Sequence, residues 1–322
     1  MTNSTIAAGF RAGRVILVGR PNAGKSSLVN RLLDFKAAIV SDKPQTTRNA
    51  IRCIYNGDGC QIVFVDTPGI HLPKLKLGRA LVNAALDALN GSDLVCYLVE
   101  AQDREIGPED AEIISVLAKS STPVLLVVNK CDLAGGRSGR EPEACARVRE
   151  LYGRNMDLEG VVCVSARTGA GLDALLKAIV PCLPEGPPFY DEDMIVDVPE
   201  KFLASEIIRE KALALTHREV PHSIAVEVED YKSPDEYPDR DVLYVRANIF
   251  VEREGQRRIV IGAGGDRLKE IGRLSRIDIE ALTGHRAYLD LWVKVRKNWR
   301  QSEADLRAFG IEERAPRVDK AR

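Results

Sequence analysis

Gly19-Arg-Pro-Asn-Ala-Gly-Lys-Ser26 follows the apolar run 15–18 and leads into Ser27-Leu-Val-Asn-Arg-Leu-Leu33, a helical stretch. Strand, glycine-rich loop and helix in that order are what a phosphate-cradling loop requires. Gly19 and Gly24 let the backbone curl, so that the amides of Asn22, Ala23, Gly24 and Ser27 and the helix N-terminus can face negative oxygens. Lys25 is placed to reach the β and γ phosphates, and the Ser26 hydroxyl can ligate Mg2+.

Working outward, further apolar runs at 51–55, 62–65, 94–99, 123–128 and 161–164 alternate with helical stretches. Near-continuous apolar strands of this kind predict an α/β fold, a mixed doubly wound sheet covered by helices on both faces. Polar motifs recur where these strands end. Asp66-Thr-Pro-Gly69 follows the run 62–65, which puts Asp66 where it can hold Mg2+ through water and the Gly69 amide where it can sense a γ phosphate. Asn129-Lys130-Cys131-Asp132 follows the run 123–128, and the Asp132 carboxylate can accept from the N1 and N2 donors of guanine, a pair that adenine lacks. Ser165-Ala166-Arg167 follows a fourth run and offers backbone to the guanine carbonyl. Between the first two sites, Ser41-Asp-Lys-Pro-Gln-Thr-Thr-Arg48 is the polar, threonine-rich segment, with Thr47 favoured over Thr46 as a Mg2+ and γ-phosphate ligand.

The chain has 322 residues, enough for about two domains. Its 46 basic and 47 acidic residues leave a net charge of −1, so bulk charge alone does not hold it to nucleic acid. Seven cysteines, odd in number and without a Cys-x-x-Cys pair, read as reduced thiols. With no apolar run near the roughly 20 residues that span a bilayer, a soluble cytoplasmic protein is expected. Pro181-Cys-Leu-Pro-Glu-Gly-Pro-Pro188 stops the helix 172–180 and reads as a linker. The domains are therefore placed at 1–185 and 186–322.

The second domain reads as α+β: a helix over 200–215, strands at 224–228 and 242–250, a short strand at 258–261, a helix over 267–282, a strand at 287–295 and a last short helix at 303–309. Ile261-Gly-Ala-Gly-Gly265 has the Gly-x-x-Gly form with which KH modules clamp a single-stranded backbone. From Arg253 to Arg300 there are 12 basic and 6 acidic residues, a local excess hidden within a near-neutral chain. Arg257, Arg258, Arg267, Lys269, Arg273 and Arg276 can supply phosphate contacts beside Gly262, Ala263, Gly264 and Gly265.

The first-domain motifs resemble those of the translation-factor-like GTPases. Together with Pro44-Gln-Thr-Thr-Arg48, Phe202-Leu-Ala-Ser-Glu-Ile-Ile-Arg-Glu-Lys211, Glu219-Val-Pro221, the Gly-x-x-Gly loop and Leu291-Trp-Val-Lys-Val-Arg-Lys-Asn-Trp-Arg300, they resemble the Era-type family over nearly all of residues 10–305. That resemblance implies a GTPase using GTP/GDP and Mg2+ and a type II KH domain; slow intrinsic turnover, raised by K+ or a bound partner, is expected because Ile70 can neither donate nor accept where a glutamine would position water. The resemblance further implies binding to the 3′ end of 16S rRNA, a role with assembly proteins in maturation of the 30S subunit, action as a monomer, and peripheral association with the inner membrane. For that last point the sequence offers only the basic tail Arg314, Arg317, Lys320 and Arg322.

The chain departs from related patterns in two places. Ile70 occupies the position that in Ras-type GTPases holds the water-positioning glutamine, and Ala263 stands where Era-type loops commonly carry lysine. Asn22 resembles the asparagine that holds K+ near the phosphates in related GTPases; it can equally be a turn former. His71 reads as a loop residue rather than a general base. Lys25, Asn22, Thr47 and Gly69 are the candidate catalytic set. Two other functions compete: a GTPase whose C-terminal domain mainly binds protein, and an ATP-dependent enzyme such as a kinase, which would have no use for Asp132.

Overall fold

The computed structural model describes residues 9–41, 43, 46–69, 76–77, 88–134, 143–236 and 241–311. Pro44, Gln45, Ile70, His71 and the basic tail residues Arg314, Arg317, Lys320 and Arg322 lie outside the described residues.

In the first domain the chain runs β1 (Arg11–Gly19), α1 (Lys25–Leu33), β2 (Ile51–Gly57), β3 (Cys60–Asp66), β4 (Leu94–Glu100), α2 (Pro108–Leu117), β5 (Val124–Asn129), α3 (Glu143–Gly153), β6 (Gly160–Cys163) and α4 (Leu172–Ile179). The sheet order is β2-β3-β1-β4-β5-β6, with only β2 antiparallel to its neighbour. Alternation along β1 explains the double coverage. Val15 and Leu17 enter the core that α1 and α4 cover, while Ile16 and Val18 enter the core beneath α2 and α3. Every residue of β3 and β5 is buried, as strands shielded on both faces should be. Gly19, Asp66 and Asn129 terminate β1, β3 and β5, so the sheet gathers the motifs at one carboxyl edge.

The proline-rich stretch is strapped down rather than loose. Leu183 is fully buried against Gly13, where a Cβ would meet its Cδ2 at 2.7 Å, and the Ala12 amide donates to the Pro184 carbonyl. Farther along, the Ile54 amide donates to Ile195 O and the Asp197 amide to Arg52 O, so the segment runs along β2 as far as 197.

The second domain comprises α5 (Glu200–Ala214), β7 (Ala225–Lys232), β8 (Leu243–Val251), α6 (Glu254–Ile261), α7 (Asp266–Thr283), β9 (Ala287–Val295) and α8 (Glu303–Ala308). Its sheet is β7-β8-β9, antiparallel at the first pairing and parallel at the second. The short strand expected at 258–261 is instead the end of α6. Gln256 Oε1 accepts from the amides of Glu252 and Arg253, both at 3.0 Å, which closes the helix N-terminus. Gln256 and Val260, four apart, form its buried face. Four apolar residues alone do not distinguish a strand from a helical turn; the cap does.

Candidate nucleotide and nucleic-acid sites

The loop after β1 is built so tightly that Gly19 and Gly24 admit no side chain. A Cβ on Gly24, whose φ is +96°, would sit 2.3 Å from Asn129 Nδ2, and one on Gly19 would sit 2.6 Å from the Leu98 carbonyl. Asn129 is the brace: its Nδ2 donates to Ala23 O at 2.8 Å, and its Oδ1 accepts from the Ala166 amide at 3.1 Å. One side chain thereby ties the phosphate loop to the Ser165-Ala-Arg motif, a role the motif reading had not assigned. Lys25 is buried and donates to the carbonyls of Gly19 and Arg20, each at 2.9 Å. Burial pushes its ammonium down to about 8, partly opposed by Asp66. Asn22 adopts φ +65° and, with Gly24, Lys25, Ser26, Ser27, Thr47, Gly69 and Lys130, lines a cleft of about 340 Å³. Arg20 is held away, paired with Asp103 at 2.7 Å and Asp110 at 3.2 Å.

The three candidate metal ligands converge. Ser26 Oγ lies 2.7 Å from Asp66 Oδ2 and 3.0 Å from Thr47 Oγ1, and Thr47 Oγ1 lies 3.5 Å from the same carboxylate oxygen. Asp66 is fully buried, which pushes its carboxyl upward, and its Oδ1 has no hydrogen-bond partner. An orphaned buried carboxylate oxygen beside two hydroxyls is a hard-oxygen donor set, and it fits Mg2+. Gly69 presses on the phosphate loop, since a Cβ there would meet Pro21 N at 2.9 Å. Thr46 turns aside, donating from its Oγ1 to the Lys43 carbonyl.

At the opposite end, Asp132 accepts from Ser165 Oγ at 2.5 Å and from Arg167 Nε and Nη2 at 2.9 and 2.6 Å. The Ser165 hydroxyl, ahead of Arg167, holds its carboxyl below the usual range, so it is an ionised acceptor at neutral pH. The Arg167 side chain is 72% exposed, so its bonds to Asp132 Oδ2 face solvent. Lys130, with φ +62°, is anchored by Glu100 at 2.8 Å.

In the second domain, Gly262, Gly264 and Gly265 all have positive φ, and a Cβ on Gly264 would meet open space. Gly265, Lys269 and Arg273 border a groove of about 490 Å³ between α7 and β9, joined by Arg276. Its apolar floor, Leu268, Leu289 and Leu291, and its exposed ring, Tyr288, were missed from sequence. Tyr288 stacks on Tyr244 at 5.9 Å, a pairing across parallel strands that no local spacing announces. Other candidates point elsewhere: Arg257 donates to Val293 O at 3.2 Å, and Arg267 folds back onto Ile259 O. Arg258 and Ala263 are exposed.

Comparison with known proteins follows this geometry closely. Residues 14–130 match a family model described as 50S ribosome-binding GTPase, and residues 219–300 match the KH domain model. The GTPase Era of Carboxydothermus hydrogenoformans is 44% identical over 304 residues, covering 94% of this chain and 99% of the relative. The chain belongs to the Era family of GTPases. A Thermoanaerobacter GTPase Era is 46% identical over 302 residues, covering 94% of this chain and 97% of that one. Two solved Era structures are each 40% identical and cover 94% of this chain and 99% of theirs. A single-substitution variant of Aquifex aeolicus Era bound to GDP·AlF4− superposes with a TM-score of 0.86, and Era in complex with MgGDPNP and nucleotides 1506–1542 of 16S ribosomal RNA with 0.87.

In this Era-family chain the threonine segment is clamped by the second domain on both flanks of Thr47. Arg209 of α5, itself paired to Glu206 at 2.5 Å, donates to the Thr46 carbonyl. Arg48 is buried, donates to Ile224 O at 2.7 Å and lies 5.3 Å from the Trp299 ring. Just upstream, the Val40 amide donates to Glu210 Oε1, and Lys36 bridges Glu210 and Asp278 at 2.5 and 2.6 Å. Downstream of Gly69, Leu77 is buried in a cluster with Phe250, Trp299 and Leu306. Each contact between the domains spans more than a hundred residues, which is why sequence order concealed it.

Proposed function

We propose that this chain is a GTP-driven switch that binds the single-stranded 3′ end of 16S rRNA and assists 30S subunit assembly and rRNA maturation. The observation that carries the proposal is the clamp on the segment bearing Thr47. Thr47 stands beside Ser26 and Asp66 while α5 and the Trp299 cluster hold its flanks, so letting go of Thr47 when the γ phosphate is lost would be felt at both, and the nucleotide state biases the KH groove. The Era complex holding both MgGDPNP and 16S rRNA supports the pairing of those two ligands.

The residue roles proposed are these. Gly19, Asn22, Ala23, Gly24, Lys25, Ser26 and Ser27 receive the phosphates. Ser26, Thr47 and Asp66 hold Mg2+, which when bound offsets charge on the β and γ oxygens. Asn129, Lys130, Asp132, Ser165, Ala166 and Arg167 form the base site. Gly262 to Gly265, Lys269 and Arg273 meet RNA at the groove, and Arg258, with Arg257 and Arg267 once they leave their backbone carbonyls, meets it outside the groove. Lys25 and the Gly69 amide stabilise charge on the transferred phosphoryl group. The domains are assigned to 1–185 and 186–322, the strap after 185 serving as a connection that stays bound to β2. Ribosome assembly proteins are proposed as further partners, with the protein acting as a monomer. Its place of action is the cytoplasm, supported by seven thiols none of which is in a disulfide. No helix among the described residues is long and apolar enough to cross a membrane. Peripheral inner-membrane contact rests on the basic tail alone.

Two expected results test the nucleotide half. If Asn22 helps hold K+, GTP turnover in KCl exceeds that in NaCl by about tenfold, an increment of roughly 1.4 kcal/mol in the barrier; equal rates remove the ion from the mechanism. The second follows from Lys25, which burial holds near 8. At pH 8 about half of the nucleotide-free molecules carry it neutral, and bound phosphates favour the ammonium form. Mg2+-free GDP binding should therefore take up about half a proton at pH 8, an uptake that falls as the pH is lowered toward 7 and Lys25 becomes charged beforehand. Calorimetry in buffers of different ionisation enthalpy reads this directly, and proton release at pH 8 would contradict it.

A further inference from the structure

Behind the base site lies a group of side chains that the nucleotide chemistry does not use. Cys131 Sγ is 3.2 Å from Cys145 Sγ, and the sulfurs of Cys131, Cys145 and Cys163 all lie within 4.8 Å of one another. The three come from separate elements: Cys131 follows β5, Cys145 sits on α3 and Cys163 ends β6. Cys145 is fully buried, while Cys131 and Cys163 are partly exposed, which leaves an approach from solvent.

We infer that Cys131, Cys145 and Cys163 form a binding site for one thiophilic metal ion, Zn2+, with water as its fourth ligand. With Zn–S bonds of about 2.3 Å, tetrahedral or trigonal geometry puts sulfurs roughly 3.8–4.0 Å apart. That separation falls between the closest pair, at 3.2 Å, and the outer limit of 4.8 Å, so small shifts suffice to close the site. Soft thiolates select such an ion over Mg2+, which the oxygen donors around Asp66 fit instead. Binding is a displacement without redox change: three thiols give up three protons to solvent as three S–Zn bonds form, leaving one water on the metal.

A disulfide accounts for less. The 3.2 Å separation would have to shrink to about 2.05 Å, and the third sulfur would have no part in the bond. The surroundings favour a fixed tripod, since the Cys131 amide donates to Val164 O at 3.2 Å and so ties the loop after β5 to the exit of β6. Asp132 follows Cys131 directly, and Ser165, which donates to Asp132, is two residues past Cys163. The metal would therefore brace the two loops that carry the base site from behind.

The test is titration of the reduced, metal-free full-length chain with Co2+, a spectroscopic stand-in for Zn2+. One equivalent should raise an intense near-ultraviolet sulfur-to-cobalt charge-transfer band with visible bands of tetrahedral cobalt, and added Zn2+ should bleach both. Cys145→Ala and Cys163→Ala should abolish the bands, and Cys182→Ala should keep them. Should the first two variants fail to fold, Zn2+ added to the unaltered chain should slow alkylation of Cys131 and Cys163 at least tenfold while leaving Cys182 unprotected. Absence of a thiolate band, bands surviving in Cys145→Ala, or alkylation rates indifferent to Zn2+ would each overturn the site. So would a Cys131–Cys145 disulfide found by mass in the chain kept under reductant.

Discussion

Asp132→Asn should weaken GTP binding by about two to three orders of magnitude and move preference toward XTP. The carboxylate supplies two acceptor oxygens to adjacent guanine donors, and an amide turns one of them into a donor facing N–H. Losing a charge-assisted bond and leaving a buried donor unmatched costs about 3–4 kcal/mol. Xanthine presents a carbonyl where guanine has its amino group, so the Asn donor then meets an acceptor. The fold should survive, because Ser165 Oγ can still donate to the remaining carbonyl and the Arg167 left without its partner is 72% exposed to water. Competition of GTP and XTP against labelled GDP reads the result; unchanged GTP preference would place the base elsewhere.

Gly264→Asp should cost about a hundredfold or more in affinity for the single-stranded 3′ rRNA end, with GTP binding intact. Its φ of +60° is one that Asp tolerates at a modest cost of about 1 kcal/mol, and a Cβ meets nothing within 4 Å, so the loop keeps its shape. What changes is that a negative charge appears where a phosphate is clamped, and a like-charge contact of that kind costs several kcal/mol. Lys269→Ala offers a graded comparison: one phosphate contact fewer weakens binding uniformly across sequences and lowers the salt slope by about one. Wild-type RNA affinity in Gly264→Asp would turn the second domain toward the protein-binding role that competes with it.

Legibility in the sequence followed the range of each interaction. Gly19 to Ser26, Asp66, Asn129 to Asp132 and Ser165 to Arg167 stood out because a strand end and the polar residues beyond it are contiguous, and a parallel sheet brings such ends together. The helix over 254–261 was not legible, because its decisive bond runs from the Gln256 side chain back to the amides of Glu252 and Arg253, while its apolar tail alone suits a strand. The groove was half legible, its basic border visible and its apolar floor not. Gly265, Lys269 and Arg273 share one helix and the loop before it, whereas Tyr288 and Leu291 join them only when β9 pairs with β8. Least visible were the roles of Arg48, Arg209 and Lys36, which exist only where the two domains meet. Arg209 is 2% exposed and Arg48 4% exposed, and nothing in their spacing indicates burial.

Those residues also offer the most direct test of nucleotide control over RNA. The Glu206–Arg209 pair can be replaced as a unit, Glu206→Met with Arg209→Met, because removing one member strands a buried charge at a cost of about 3–5 kcal/mol whereas replacing both is close to neutral. The decisive measurement is the affinity of a short 16S 3′-end strand for the full chain loaded with a GTP analogue and with GDP, in wild type and in the double variant. The wild type should bind at least tenfold more tightly in the analogue state, and the double variant, which loses the Arg209 contact but keeps the Arg48 flank, should show a clearly smaller difference between the two states. Equal affinity in the two wild-type states would contradict a switch.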